Sequence, residues 1–99
     1  MATTVDPSTQ PGLVFFHSSV SGHSRRVEGF LAQVLQRRRN HGTFKHYRVD
    51  EERRPDLVER FGVGRTPTLV VVEGKRVQGR LEQPRGCREI EAFLAPWLN

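Results

Sequence analysis

The apolar residues of this chain fall into short runs and helical repeats that are separated by turn residues. The run LVFF, from Leu13 to Phe16, is continuous and is bounded by Gly12 and a serine-rich segment. Such a run is typical of a strand that is buried on both faces. From Ser24 onward, apolar residues recur at i, i+3, i+4 and i+7, which predicts a helix that packs one face against a sheet. Its apolar positions are Val27, Phe30, Leu31, Val34 and Leu35.

The rest of the chain continues this alternation of strands and helices. FKHYRVD, from Phe44 to Asp50, alternates apolar and polar residues as a half-buried strand does. RPDLVERFG predicts a second, short helix with Pro55 in its first turn. TPTLVVVEGKRVQGRL predicts a hairpin with strands near 68–73 and 76–82 that turns at Gly74. The apolar residues of a closing helix are Ile90, Phe93, Leu94, Trp97 and Leu98.

These elements define the expected fold class. Their order, strand, helix, strand, helix, strand, strand, helix, predicts an α/β fold in which three helices flank a four-stranded mixed sheet. Residues 1–12 show no periodicity and are expected to be a flexible N-terminal leader, with the folded domain at 13–99. The chain has 99 residues, which is enough for a single core.

Charge and cysteine content narrow the functional classes. The formal net charge is +5, but basic residues are spread along the chain with acidic residues between them. We therefore expect a solvated basic surface and no nucleic-acid partner. The chain start lacks the apolar run of a secretory signal, and no segment approaches the roughly 20 apolar residues of a membrane span. A cytoplasmic protein with no membrane partner is expected.

The chain has one cysteine, Cys87, so it cannot form a disulfide within itself. We interpret Cys87 as a partly buried small residue in the first turn of the closing helix. The alternative is a reactive thiol, because a helix N-terminus lowers the pKa of a thiol.

Three segments, in the same order, resemble the thioredoxin superfamily. FFHSSVSGHSRRVEGFLAQVL is similar to the strand, turn and helix of the thioredoxin active-site segment, and RVDEERRPDLVERFGV is similar to a later strand and helix. RTPTLVVVEGKRV is similar to the loop and hairpin that carry a cis proline, here Pro67. The resemblance extends from Leu13 to Leu98 and implies a thioredoxin-like fold. It places Ser21 and Ser24 where the family's two cysteines lie, so Ser-Gly-His-Ser replaces the CxxC motif.

The sequence departs from the family pattern where redox chemistry occurs. The resemblance places Phe15 at the buried acid, His17 and Val20 at two tryptophans, His23 at the proline between the cysteines and Gln83 at a glycine beside the peptide groove. An engineered removal of the cysteines alone would leave those neighbours unchanged. Disulfide exchange needs a thiolate, and a serine hydroxyl stays protonated at neutral pH. Dithiol oxidoreductase activity is therefore not expected.

The leading hypothesis is a non-redox, thioredoxin-fold protein that acts as a binding or adaptor module. In the family, the residue before the cis proline offers its backbone N–H and C=O to an extended peptide or to glutathione, and that residue is Thr66 here. A protein or extended peptide is the expected partner, and Gln83 is expected to narrow the groove. The predicted binding residues are Val20, Ser21, Gly22, His23, Ser24, Arg65, Thr66, Pro67 and Gln83. No catalytic residue, metal site or cofactor is predicted.

Several alternatives remain open at the level of sequence. A glutathione- or thiol-handling enzyme of the same superfamily would use the Ser21 hydroxyl to activate a bound thiol, with Arg25 or Arg65 as carboxylate partner. Ser21 is also an N-cap candidate, and together with Arg25, Arg26 and Arg65 the turn is a candidate anion cradle. RPDLVERFGVGRTPTL also resembles KaiB-like clock proteins, which implies protein partners. A serine hydrolase is disfavoured because the G-x-S-x-G elbow is missing.

Overall fold

The computed structural model describes residues 10–37 and 42–98. It contains seven elements in the predicted order of strands and helices. They are β1 (Gly12–His17), α1 (Gly22–Arg37), β2 (Lys45–Asp50), α2 (Pro55–Arg60), β3 (Thr68–Glu73), β4 (Arg76–Glu82) and α3 (Cys87–Leu94). The predicted α/β fold with three helices is confirmed.

The four strands form one mixed sheet in the order β2-β1-β3-β4. Strand β1 is parallel to β2 and antiparallel to β3, and β3 and β4 form the predicted hairpin. A parallel pair requires a long crossover, which α1 supplies. The register pairs His17 with Asp50, Phe16 with Thr68, and Thr68 with Glu82. One end of the sheet therefore gathers the loops that follow β1, β2 and β4 and the loop that precedes β3.

Strand β1 lies between two apolar layers, as its continuous apolar run predicts. The first layer is on the side of α1 and α3, and the second is on the side of α2. Because successive side chains of a strand point to opposite faces, Leu13 and Phe15 pack with α1 and α3, whereas Val14 and Phe16 pack on the α2 side. All four are at most 6% exposed. The first layer also contains Val27, Leu31, Val34, Leu35, Ile90 and Leu94, which confirms the apolar stripes predicted for the two long helices.

The expectation that residues 44–50 form a half-buried strand is only partly correct. Residues 45–48 are all exposed, and within β2 only Val49 is buried. The physical reason is that β2 is the edge strand of the sheet, so the helices cover the neighbouring β1 better than β2. Phe44, which precedes the strand, is buried in the first layer.

The last helix ends earlier than the apolar spacing predicts. Helix α3 stops at Leu94, and Pro96 follows in a turn. Proline has no N–H to donate and its ring clashes with the preceding turn of a helix. The side chain of Trp97 still packs on Phe44 and Phe93, with ring centroids 6.4 and 6.2 Å apart. The predicted apolar contacts form, although the residue is not helical.

The predicted leader at 1–12 lies mostly outside the described residues. Gly12 already belongs to β1, where it pairs with Lys45 and Val72, and residues 1–9 are not described. Within the described ranges, no helix has the length and apolar content that crossing a bilayer requires.

Candidate binding site

The residues predicted to bind a partner lie together at one end of the sheet. The turn after β1, the start of α1, the loop before β3 and the loop after β4 meet there. We call this surface the loop face. It is formed by Val20, Ser21, Gly22, His23, Arg65, Thr66 and Gln83, together with the buried residues Ser24 and Pro67.

The two serines at the former cysteine positions build the turn. The Ser21 hydroxyl oxygen accepts a hydrogen bond from the Ser24 backbone N–H at 3.1 Å, which is the geometry of a helix N-cap. The Ser24 hydroxyl oxygen accepts one from the Ser18 N–H at 3.0 Å, and Ser24 is 3% exposed. The N-cap interpretation of Ser21 is therefore confirmed. Ser24 is too deeply buried to meet a partner.

Val20 is the exposed apolar residue of the loop face. Its side chain is 86% exposed, which is the highest value for a large apolar side chain in the described part of the chain. The Ser18 hydroxyl accepts the Val20 backbone N–H at 3.3 Å and so holds the tip of the turn. An apolar side chain that is held outward in this way is available for contact with another molecule.

The loop before β3 lies at the same end of the sheet as this turn. The peptide bond between Thr66 and Pro67 is cis, as the resemblance implies, and Pro67 is fully buried. The Thr68 hydroxyl donates to the Arg65 carbonyl oxygen, which closes the loop on itself. Thr66 is half-buried and directly precedes the buried proline.

Gln83 occupies the space next to Thr66. Its backbone N–H donates to the Pro67 carbonyl at 2.8 Å, and its side-chain Nε2 lies 3.4 Å from the Thr66 carbonyl oxygen. Gln83 therefore contacts Thr66, the residue at which the groove is expected. The same loop is attached to α1, since His23 Nε2 lies 2.9 Å from the Pro84 carbonyl oxygen. A carbonyl oxygen only accepts, so His23 donates from Nε2 in this arrangement.

Three consecutive acidic residues begin at the last position of β2, and two of them contact these loops. Reasoning from sequence did not identify them as site residues. Glu52 accepts the Ser18 hydroxyl at 2.7 Å and the Ser19 N–H at 3.3 Å, and Glu51 accepts the Thr66 hydroxyl. The signal was present in the sequence as acidic residues directly after a strand parallel to β1. The contacts themselves depend on the strand register.

The first of these acids, Asp50, makes a hydrogen bond within the turn that carries the other two. Its carboxylate oxygen Oδ1 accepts the Glu52 backbone N–H at 2.9 Å, which closes a tight turn at the end of β2. Hydrogen bonding with Glu52, through its side chain and then through its backbone, lowers the pKa of Asp50 below its usual value. The turn is therefore strongest when Asp50 is ionised.

Arginines add positive charge around the turn. Arg25, Arg26 and Arg65 are exposed, and Arg26 Nη1 lies 3.9 Å from the position that a Cβ would take on Gly22. Glu51 and Glu52 lie in the same region, so the surroundings of the loop face carry both signs of charge. Among the described residues, no group of three histidine, cysteine, aspartate or glutamate side chains is placed to hold a metal ion.

Cys87 lies apart from the predicted site residues, between α3 and α1. Its Sγ is 3.3 Å from Gln33 Oε1 and 3.8 Å from the Phe30 carbonyl oxygen, and it packs against the first apolar layer. This environment agrees with the interpretation of Cys87 as a partly buried structural residue.

The fold and the site together define a thioredoxin-like domain in which two serines stand at the redox positions. The sequence matches the thioredoxin family model over residues 2–96, and the chain belongs to that family.

Solved structures of similar fold include several thioredoxins. Desulfothioredoxin from Desulfovibrio vulgaris Hildenborough in its reduced form is 29% identical, with a TM-score of 0.74 over 88% of this chain and 81% of that chain. Trxlp from Edwardsiella tarda is 17% identical, with a TM-score of 0.78 over 88% and 84%. Mitochondrial thioredoxin 3 from Saccharomyces cerevisiae is 15% identical, with a TM-score of 0.74 over 89% and 79%. No curated protein matches the sequence significantly.

Proposed function

We propose that this protein is a non-redox member of the thioredoxin family that binds an extended segment of a partner protein at the loop face. The observation that carries the proposal is the position of Val20. This apolar residue is 86% exposed on a turn that hydrogen bonds hold in place, at the same end of the sheet as the loop that contains Thr66. Apolar contact from Val20 and main-chain pairing at Thr66 are the two components of strand-like peptide recognition.

The proposal assigns no redox step to the protein. Disulfide exchange within one chain needs two thiols, and this sequence has one cysteine. That cysteine, Cys87, lies against Gln33 and the α1 backbone, away from the turn. The two serines instead use their oxygens to hold the turn, so the former redox segment is retained as a rigid surface.

The geometry at Thr66 supports binding by main-chain pairing. Its carbonyl oxygen already has an amide donor, Gln83 Nε2, at 3.4 Å. Strong N–H···O bonds have donor–acceptor distances of about 2.9–3.0 Å, so this contact is weak and a partner's backbone N–H can replace it. The Glu51 carboxylate holds the Thr66 side chain, which fixes the direction of this residue before a partner arrives.

The test is a titration with an extended peptide selected from a random peptide library. We expect Val20→Ser to weaken binding by about threefold to tenfold, because it removes part of the apolar contact. The matched control is Val77→Ser, since Val77 is a valine 44% exposed on β4. Thr66→Pro removes the backbone N–H and is expected to abolish binding, with an NMR spectrum to verify the fold. The proposal is wrong if no peptide is selected, or if Val20→Ser and Val77→Ser bind alike.

A second candidate is a glutathione- or thiol-handling enzyme, and one observation favours it. The Ser21 oxygen accepts the Ser24 N–H at the start of α1, which leaves the hydroxyl proton free to donate to a thiolate. Arg25 or Arg65 would pair with a glutathione carboxylate. Calorimetry with glutathione separates the two candidates, since the absence of heat at millimolar ligand would make the enzyme untenable. A cytoplasmic location, with no nucleic-acid, membrane or cofactor requirement, remains a prediction.

A further inference from the structure

Gln83 has a backbone conformation that few residues other than glycine adopt. Its φ is +47°, and within the described residues it is the one non-glycine residue with a positive φ. The conformation is fixed from both sides. Its N–H donates to the Pro67 carbonyl at 2.8 Å, and the carbonyl of the next residue, Pro84, accepts His23 Nε2 at 2.9 Å.

In this unfavourable backbone conformation, the Gln83 side chain contacts the carbonyl oxygen of Thr66. Its amide Nε2 lies 3.4 Å from the Thr66 carbonyl oxygen. Under the proposed function, that oxygen is the acceptor for a backbone N–H of the bound segment. The side-chain amide of glutamine is the same kind of donor as a backbone amide. In the free protein, the Gln83 side-chain amide therefore takes the place of one hydrogen-bond donor of the partner.

We infer that Gln83 is an internal competitor for the peptide site. Its side-chain amide occupies the Thr66 carbonyl in the free protein, and a bound segment displaces it. This inference rests on the proposed function. Displacement removes a hydrogen bond before a new one forms, so a segment that offers only main-chain groups gains little. Segments that also contact Val20 bind, and Gln83 thereby contributes to selectivity.

The test compares two alanine variants in titrations with the peptide selected above. Gln83→Ala keeps a non-glycine residue at the same φ and removes the side-chain amide together with one methylene group. Gln78→Ala is the matched control, because Gln78 is exposed on β4 and lies outside the loop face. We expect Gln83→Ala to lower Kd by about twofold, as the loss of a weak competing hydrogen bond does, and Gln78→Ala to leave Kd unchanged. In the native chain, the side-chain amide resonances of Gln83 are expected to shift when the peptide binds.

The outcomes separate this inference from the proposed function. If the native protein binds the peptide and Gln83→Ala binds it equally or more weakly, the competitor is disproved while the binding function stands. Equal tightening by Gln78→Ala would also overturn the inference, since the effect would not depend on the Thr66 contact. If neither the native protein nor Gln83→Ala binds any selected peptide, the proposed function itself fails.

Discussion

At the scale of single residues, Ser21 shows how a position associated with catalysis can serve stability. Its hydroxyl oxygen accepts the Ser24 N–H, one of the backbone donors that the first turn of α1 leaves unpaired. A capping serine is the residue type that this geometry selects. A cysteine thiol is a weaker acceptor, so a serine at this position stabilises the helix start more than a cysteine would.

The corresponding prediction concerns stability. Ser21→Ala should lower the free energy of unfolding by about 1 kcal/mol, because the Ser24 N–H loses its cap. Urea denaturation measures the change. Ser19→Ala is the matched control, since Ser19 is exposed and, within the described residues, contributes only its backbone N–H to a recorded hydrogen bond. An equal loss in both variants would show that the cap contributes nothing specific.

Asp50 gives a prediction for the dependence of stability on pH. Hydrogen bonding with Glu52 lowers its pKa in the folded protein, so the folded state binds fewer protons than the unfolded state near the unfolded pKa of about 3.9. The stabilisation is therefore present above that pH and is lost as pH falls through the lower, folded pKa. Asp50→Asn should reduce the fall in the free energy of unfolding that the native protein shows as pH decreases through the acid range. An equal fall in the variant and the native protein would contradict the role of this turn.

At the scale of elements, the C-terminal end of α2 is held by a side chain of β4, the strand at the edge of the sheet opposite β2. This helix has six residues, and its N-cap, Arg54, makes no capping bond through its side chain. At its other end, Arg80 of β4 donates to the Phe61 carbonyl at 2.8 Å and to the Gly62 carbonyl at 3.0 Å. Gly62 has a φ of +67°, the left-handed conformation that commonly ends helices. Arg80 thus satisfies carbonyl groups that the end of α2 leaves unpaired.

We expect Arg80→Ala to loosen α2. Amide hydrogen exchange from Phe61 to Val63 should accelerate by about threefold to tenfold, which corresponds to roughly 1 kcal/mol for hydrogen bonds made by an exposed guanidinium group. Arg80→Lys should restore only part of the protection, because lysine lacks the planar fork that reaches two oxygens. Arg76→Ala, at the far end of β4, is the control. Equal protection in Arg80→Ala and the native chain would contradict the contact.

The elements also show what sequence patterns can and cannot predict. The N-cap at Ser21 and the start of α2 at Pro55 were predictable because both depend on residues within a few positions of each other. The exposure of β2 was not, because an edge position follows from the order of all four strands. The apolar spacing of Trp97 predicted its contacts correctly and its helical state wrongly, since Pro96 interrupts the helix.

At the scale of the whole molecule, the loop face exists because the topology brings distant segments together. The predicted site residues come from two segments and one later loop position, and the register of β1, β3 and β4 places all three at one end of the sheet. The resemblance to the thioredoxin superfamily predicted this proximity. The contact between Gln83 and Thr66 and the support from Glu51 were not predictable, because each joins residues at least 15 positions apart through side-chain atoms.

The central claim is that the loop face binds an extended segment without redox chemistry. The most direct measurement is an NMR titration in which backbone amides of the isotope-labelled protein are followed as the selected peptide is added. The account predicts shifts that concentrate at residues 20–24 and 65–67 and at Gln83, with no dependence on reducing agent. Shifts confined to other surfaces, such as the exposed edge strand β2, would contradict it.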